Sequence, residues 1–121
     1  MGKNVIKEKS FELSIEAVGL YKFFTSEMKE FVMSKQLLRS STAIGALVRE
    51  AEHAESKADF IHKNSIAQKE ANETIYWLEL LEATHYISKE QFERLNIKTV
   101  ECLKLLTSII KSSKASLTIN N

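Results

Sequence analysis

Proline is absent from this 121-residue sequence and glycine occurs three times. A chain so poor in fixed breakers does not fit a turn-rich β architecture, and the abundant Glu, Lys, Leu, Ala and Ile favour helices with short connections. Cysteine occurs once, which excludes an intrachain disulfide framework. Cys102 falls on an apolar helical stripe, where a buried thiol in a reducing compartment is the expected reading. Charge of either sign is not in excess: 17 basic against 16 acidic side chains leave a formal +1, so any affinity for nucleic acid has to come from a local patch. No apolar run approaches the length of about eighteen residues that a membrane span requires. The first residues, MGKNVIKEKS, hold no signal-peptide core, and the expectation is a cytoplasmic protein without a membrane partner.

What is present is helical periodicity. At 44% hydrophobic content the chain can bury one continuous core, and residues 1–121 are read as one domain. The expected fold is all-α, an antiparallel up-down-up-down four-helix bundle with helices over about 5–30, 35–52, 57–86 and 89–113. In the first helix Phe11, Ile15 and Val18 run beside a second stripe of Leu13, Ala17, Leu20, Phe24, Met28 and Phe31, which predicts a wide buried face. Ser34 is the expected cap of the second helix, whose seam is Leu37, Ser41, Ile44, Val48 and Ala51. Gly45 in its interior costs about 1 kcal/mol relative to Ala, which implies close approach of another backbone. The third helix opens on the capping box Ser56 to Asp59. It alternates spacings of four and three through Phe60, Asn64, Ala67, Ala71, Thr74, Leu78, Leu81 and His85. A second box, Ser88 to Gln91, opens the fourth helix, and the tail KASLTINN is expected to fray.

Candidate sites are few. Two Glu-x-x-His spacings, Glu50 to His53 and Glu82 to His85, resemble half of a carboxylate-bridged metal centre. In an antiparallel hairpin hinged near Ser56 the two histidines lie roughly 40 Å apart at about 1.5 Å per residue, so no shared metal is expected. Ser40, Ser41 and Thr42 read as packing residues, and no catalytic, metal or cofactor site is assigned. Lys35, Arg39 and Arg49 fall on the outer stripe of the second helix, together with Thr42, Ala46 and His53, within an acid-free stretch from Phe31 to Arg49. They are the candidate nucleic-acid-binding residues. Ile66, Trp77 and Leu80 lie off the seam of the third helix and are the candidate oligomer contact, with the small residues of the second helix helping subunits approach.

The segments KQLLRSSTAIGALVREA (Lys35 to Ala51), SKADF (Ser56 to Phe60) and IAQKEANETIYWLELLEATHYI (Ile66 to Ile87), with KSFELSIEAVGLYKF at Lys9 to Phe23, carry a family resemblance. In order and spacing the chain resembles the four-helix-bundle proteins encoded in intervening sequences of bacterial large-subunit ribosomal RNA genes, once labelled ribosomal proteins. It is also distantly similar to the accessory protein of diversity-generating retroelements. It departs from many relatives at Leu47, where they carry Asn, and at Arg49-Glu50-Ala51. The resemblance implies a ring-shaped homo-oligomer, commonly a pentamer, and Arg39 and Arg49 match the basic members of the motif. The resulting expectation is a non-enzymatic assembly that binds ribosomal or other structured RNA through repeated copies of Lys35, Arg39 and Arg49. The alternative is a protein-interaction scaffold that binds no nucleic acid.

Overall fold

The computed structural model of the protein describes residues 4–119. Helix α1 spans Val5–Phe23 and is opened by Asn4, whose side-chain oxygen accepts from the Lys7 N–H. It widens into a π turn at Phe24–Met28 and stops at Lys29, which takes a left-handed φ of 54°. The Thr25 and Ser26 hydroxyls donate back to the Tyr21 and Lys22 carbonyls there, competing with the regular ladder and loosening its last turn. The helical run therefore ends near Met28, slightly before the expected position.

Helix α2 spans Met33–Ala51. Its cap is Glu30, not Ser34: one carboxylate takes the N–H groups of Val32, Met33 and Ser34 at 3.1, 2.7 and 2.9 Å. Ser34 lies inside the helix, buried, and its hydroxyl donates to the Glu30 carbonyl. Burial pushes the Glu30 carboxyl up, but the bonds from Ser34, Met33 and Val32 outweigh it and hold the group below its ordinary range.

Helix α3 spans Lys57–Ala83 behind the Ser56 cap, and His85 turns the chain with a φ of 66°. His85 is exposed, so the seam ends at Leu81 and does not reach it. Phe60 is likewise only half-buried, with its neighbour Ile61 in the core. Helix α4 spans Lys89–Ile119, held at its start by the reciprocal Ser88–Gln91 bonds of 2.9 and 3.1 Å. It outlasts the expected end near Ser113, because residues 114–119 contain no breaker and Lys57 donates to the Ser116 hydroxyl. Asn120 and Asn121, also in the expected frayed tail, lie outside the described residues.

Each of α1 and α3 packs against both α2 and α4, so the helices form a square antiparallel bundle. Its core holds Leu13, Phe24, Leu37, Ile44, Leu78, Leu81 and Leu106, none more than 2% exposed. Small residues bring two helix pairs close. Gly45 lies 3.5 Å, measured from where a Cβ would be, from the Ser10 carbonyl of α1, and the Ser40 and Thr74 hydroxyls meet at 2.9 Å between α2 and α3. The close approach predicted at Gly45 is real, but the approaching backbone is α1 of the same chain, not a second subunit. Among the described residues no helix is long and apolar enough to cross a membrane.

Candidate interaction surface

The helix-two stripe does face outward: Lys35, Arg39, Ala46, Arg49 and His53 are exposed. Its three cations are not equivalent. Arg39 reaches across to α3, pairing Nη1 with Glu70 at 3.2 Å and Nη2 with Glu73. Glu73 also accepts from the Trp77 indole N–H at 2.9 Å. The Trp77 bond first and Arg39 second hold the Glu73 carboxyl below its ordinary range, while bonding to Glu73 raises Arg39. One guanidinium is thus shared between two carboxylates and brings little net positive charge to the surface. Arg49 stacks over the ring of Phe11 at 5.2 Å, a cation–π contact across α1 and α2 that leaves its charge intact. Lys35 stands in solvent at the other end of the helix, about fourteen residues or roughly 21 Å away.

Ile66, Trp77 and Leu80 are half-buried. Trp77 packs on the core as well as on Glu73. Beside Trp77 and edge-on to it, Tyr76 is 55% exposed, and further wet apolar surface lies on the other helices. Phe11, Ile15 and Val18, expected inside, are 53, 58 and 40% exposed. At about 100° per residue these three point away from Leu13, Ala17 and Leu20, which are the side of α1 that faces the core. A second apolar point is Ile97 on α4, 66% exposed. Met28, Phe31 and Val32 are also exposed, at the α1–α2 turn.

The remaining reactive groups are occupied. The Ser40, Ser41 and Thr42 hydroxyls bond the Leu37 and Leu38 carbonyls of their own helix. Burial first, then the charges of Glu101 and Glu12, push the Cys102 thiol up to about 11. His53 follows the C-terminal end of α2 and His85 the C-terminal end of α3, at opposite ends of the bundle. Among the described residues no group of His, Cys, Asp or Glu is placed to hold a metal ion. Among the described residues these hydroxyls and this thiol are engaged or buried, and none is paired with a base.

Comparison with known proteins gives a consistent picture. The profile of a family described as 23S rRNA-intervening sequence protein matches residues 2–108. Among solved structures, a protein of unknown function from the S23 ribosomal protein family of Bacteroides thetaiotaomicron VPI-5482 is 61% identical, with a TM-score of 0.86 over 88% of this chain and 98% of that one. No curated protein matches the chain.

Proposed function

The chain belongs to the 23S rRNA-intervening sequence protein family, and we propose that it is a non-enzymatic assembly protein: a helical bundle that self-associates and, assembled, offers a repeated surface to a protein partner. The observation that carries this reading is that α1 is apolar on two opposite sides. Its inner side builds the core, and its outer side leaves Phe11, Ile15 and Val18 in water. A single bundle needs only one apolar stripe per surface helix, so a second one is a contact awaiting a partner. The engaged Ser40, Ser41 and Thr42 hydroxyls and the elevated Cys102 thiol support the absence of a nucleophile.

A second reading, binding of structured RNA, is favoured by the family's description and by the intact charges of Lys35 and Arg49. Arg39 contributes little to it, being matched by Glu70 and Glu73. In a homo-oligomer, a pentameric ring by the resemblance, two cations per chain become about ten, and phosphate affinity grows with the number engaged.

Light scattering over a range of concentrations tests the first reading. A mass of several times 13.8 kDa supports it and a single-chain mass overturns it. Anisotropy with a structured ribosomal RNA fragment at about 50 and 200 mM salt separates the two. Binding that weakens steeply with salt and is lost in a Lys35→Ala, Arg49→Ala variant assigns the partner as RNA. No binding at low salt leaves the protein scaffold.

A further inference from the structure

We infer that the side of the bundle formed by the first half of α3 and the second half of α4 is a binding surface for an unpaired stretch of nucleic acid. Its lysines take the phosphates and Tyr76 takes a base. This surface is distinct from the α2 stripe, and it stands whether or not the chain self-associates.

The placing of ion pairs gives this side its charge. Each of the other three sides is laced by cross-helix pairs such as Lys7 with Glu52, Lys63 with Glu50 and Lys98 with Glu12. Between α3 and α4 the side-chain bonds run to hydroxyls instead, from Gln68 to Thr107 at 2.9 Å and from Lys57 to Ser116 at 2.7 Å. Lys69, Lys104 and Lys111 are exposed beside them, and none has an ion-pair partner among the described residues. The carboxylates nearest in sequence are turned aside: Glu70 and Glu73 are held by Arg39 on the α2 side, and Glu101 meets Lys9 on the α1 side at 3.7 Å. Three cations are therefore left for an anion from outside.

Their spacing suits a strand. The contact of Gln68 with Thr107 sets the register of the two antiparallel helices. Lys104 then stands level with Ala71 and Lys111 with Asn64, so Lys69 lies between them across the seam. Lys104 and Lys111 are about 10.5 Å apart along the axis at about 1.5 Å per residue, the length of about three stacked nucleotides at about 3.4 Å each.

Tyr76 singles out nucleotides among polyanions. It lies two turns beyond Lys69 on the same stripe of α3 and is 55% exposed. Trp77 meets it edge-on, with ring centroids 5.1 Å apart and planes at 72°, which steadies the ring. An exposed aromatic ring beside a row of cations is a platform on which a base stacks, and only an unpaired base offers its face. The exposed Glu79 and Glu93 and the half-buried Glu82 lie past Tyr76, towards the other end of this side. The phosphates therefore run from Tyr76 towards Lys111, away from those carboxylates.

Anisotropy of a labelled nine-nucleotide oligouridylate, which forms no duplex of its own, tests the surface at about 50 and 200 mM salt. Three phosphates engaged predict an affinity that falls about twentyfold over that range. A Lys69→Ala, Lys104→Ala, Lys111→Ala variant is expected to lose the binding. Tyr76→Ala weakens it about fivefold or more, while Tyr76→Phe, which keeps the stacking face, retains it. Lys35→Ala, Arg49→Ala also retains it. All these positions are exposed, so helicity and mass stay those of the unsubstituted protein; Gln replaces Ala at the three lysines if they do not. Oligothymidylate of the same length separates RNA from DNA, and salt-sensitive binding of either supports the surface. No binding at 50 mM salt overturns it, as does binding lost in Lys35→Ala, Arg49→Ala but kept in the triple variant. A nine-residue oligoglutamate that binds as tightly as the oligonucleotide, or an oligonucleotide indifferent to Tyr76→Ala, overturns the assignment of the ligand as unpaired nucleic acid.

Discussion

Replacing Glu30 with Ala removes a cap that serves three backbone N–H groups from one carboxylate. Loss of a helix N-cap costs about 1–2 kcal/mol. The Ser34 N–H is buried, and leaving it unmatched adds about 1–3 kcal/mol, so the expected loss is roughly 2–5 kcal/mol. Urea unfolding followed by far-UV circular dichroism reads this as a lower midpoint at unchanged slope. A companion variant, Glu30→Gln, keeps the shape and removes the charge. Because the native environment lowers the Glu30 carboxyl from its ordinary value of 4.5, the folded state favours the ionised form. That contribution is complete above the unfolded value and is lost as pH falls through the folded one. The gap in stability between the natural protein and Glu30→Gln is therefore widest at neutral pH and narrows as pH drops below about 4.5. A Glu30→Ala variant within about 0.5 kcal/mol of the parent refutes the capping argument. So does a gap between the parent and Glu30→Gln that stays constant from neutral pH to pH 2.

Gly45→Ala is expected to stabilise the protein by about 0.5–1 kcal/mol, since the new Cβ meets Ser10 and Ser14 at ordinary contact distances of 3.5 Å. Gly45→Leu overfills the same gap and costs about 1–3 kcal/mol; a lower thermal midpoint for the alanine variant contradicts the packing described. Cys102, with its thiol raised to about 11, is expected to resist iodoacetamide at pH 7.5 until the chain unfolds, and rapid labelling of the folded protein refutes its burial. Trp77→Ala is expected to lower stability by about 2–3 kcal/mol with no change in oligomeric mass, because the indole packs on its own core and bonds Glu73. A fall in mass places Trp77 in a subunit contact.

The seams of α2 and α3 were legible because residues alternating by four and three had one place to go. Leu37, Ser41, Ile44, Val48 and Ala51 are all buried, as are Asn64 through Leu81 on α3. α1 defeats the same logic. With apolar side chains on opposite sides, periodicity indicates two stripes but not which one the bundle takes, and the inner one is selected only by the neighbours α2 and α4. The helix stops were hidden for a related reason: Lys29 and His85 adopt left-handed backbone that composition does not advertise in non-glycine residues. At the surface, the cationic spacing of α2 was readable, but the neutralisation of Arg39 was not. Its partners Glu70 and Glu73 lie 31 and 34 residues away, and only the α2–α3 register brings them opposite. The Glu30 cap was obscured by Ser34, the better capping residue by type, which the turn instead carries inside the helix.

The square arrangement also bears on how the molecule opens. Three sides of the bundle join helices consecutive in sequence, and their packing forms between near neighbours along the chain. The fourth side joins α1 to α4 across contacts such as Glu16 with Arg94, 78 residues apart, and it is the most sparsely packed of the four. Closing that long loop is expected to come late in folding, and parting it early in unfolding. α1 is thus expected to be the helix held least firmly, with amides that exchange with solvent through an opening smaller than global unfolding. On the self-association proposed above, a neighbour gripping its outer side would fasten the loosest quarter of the bundle, and resistance to heat and proteolysis is then expected to rise with the protein's own concentration.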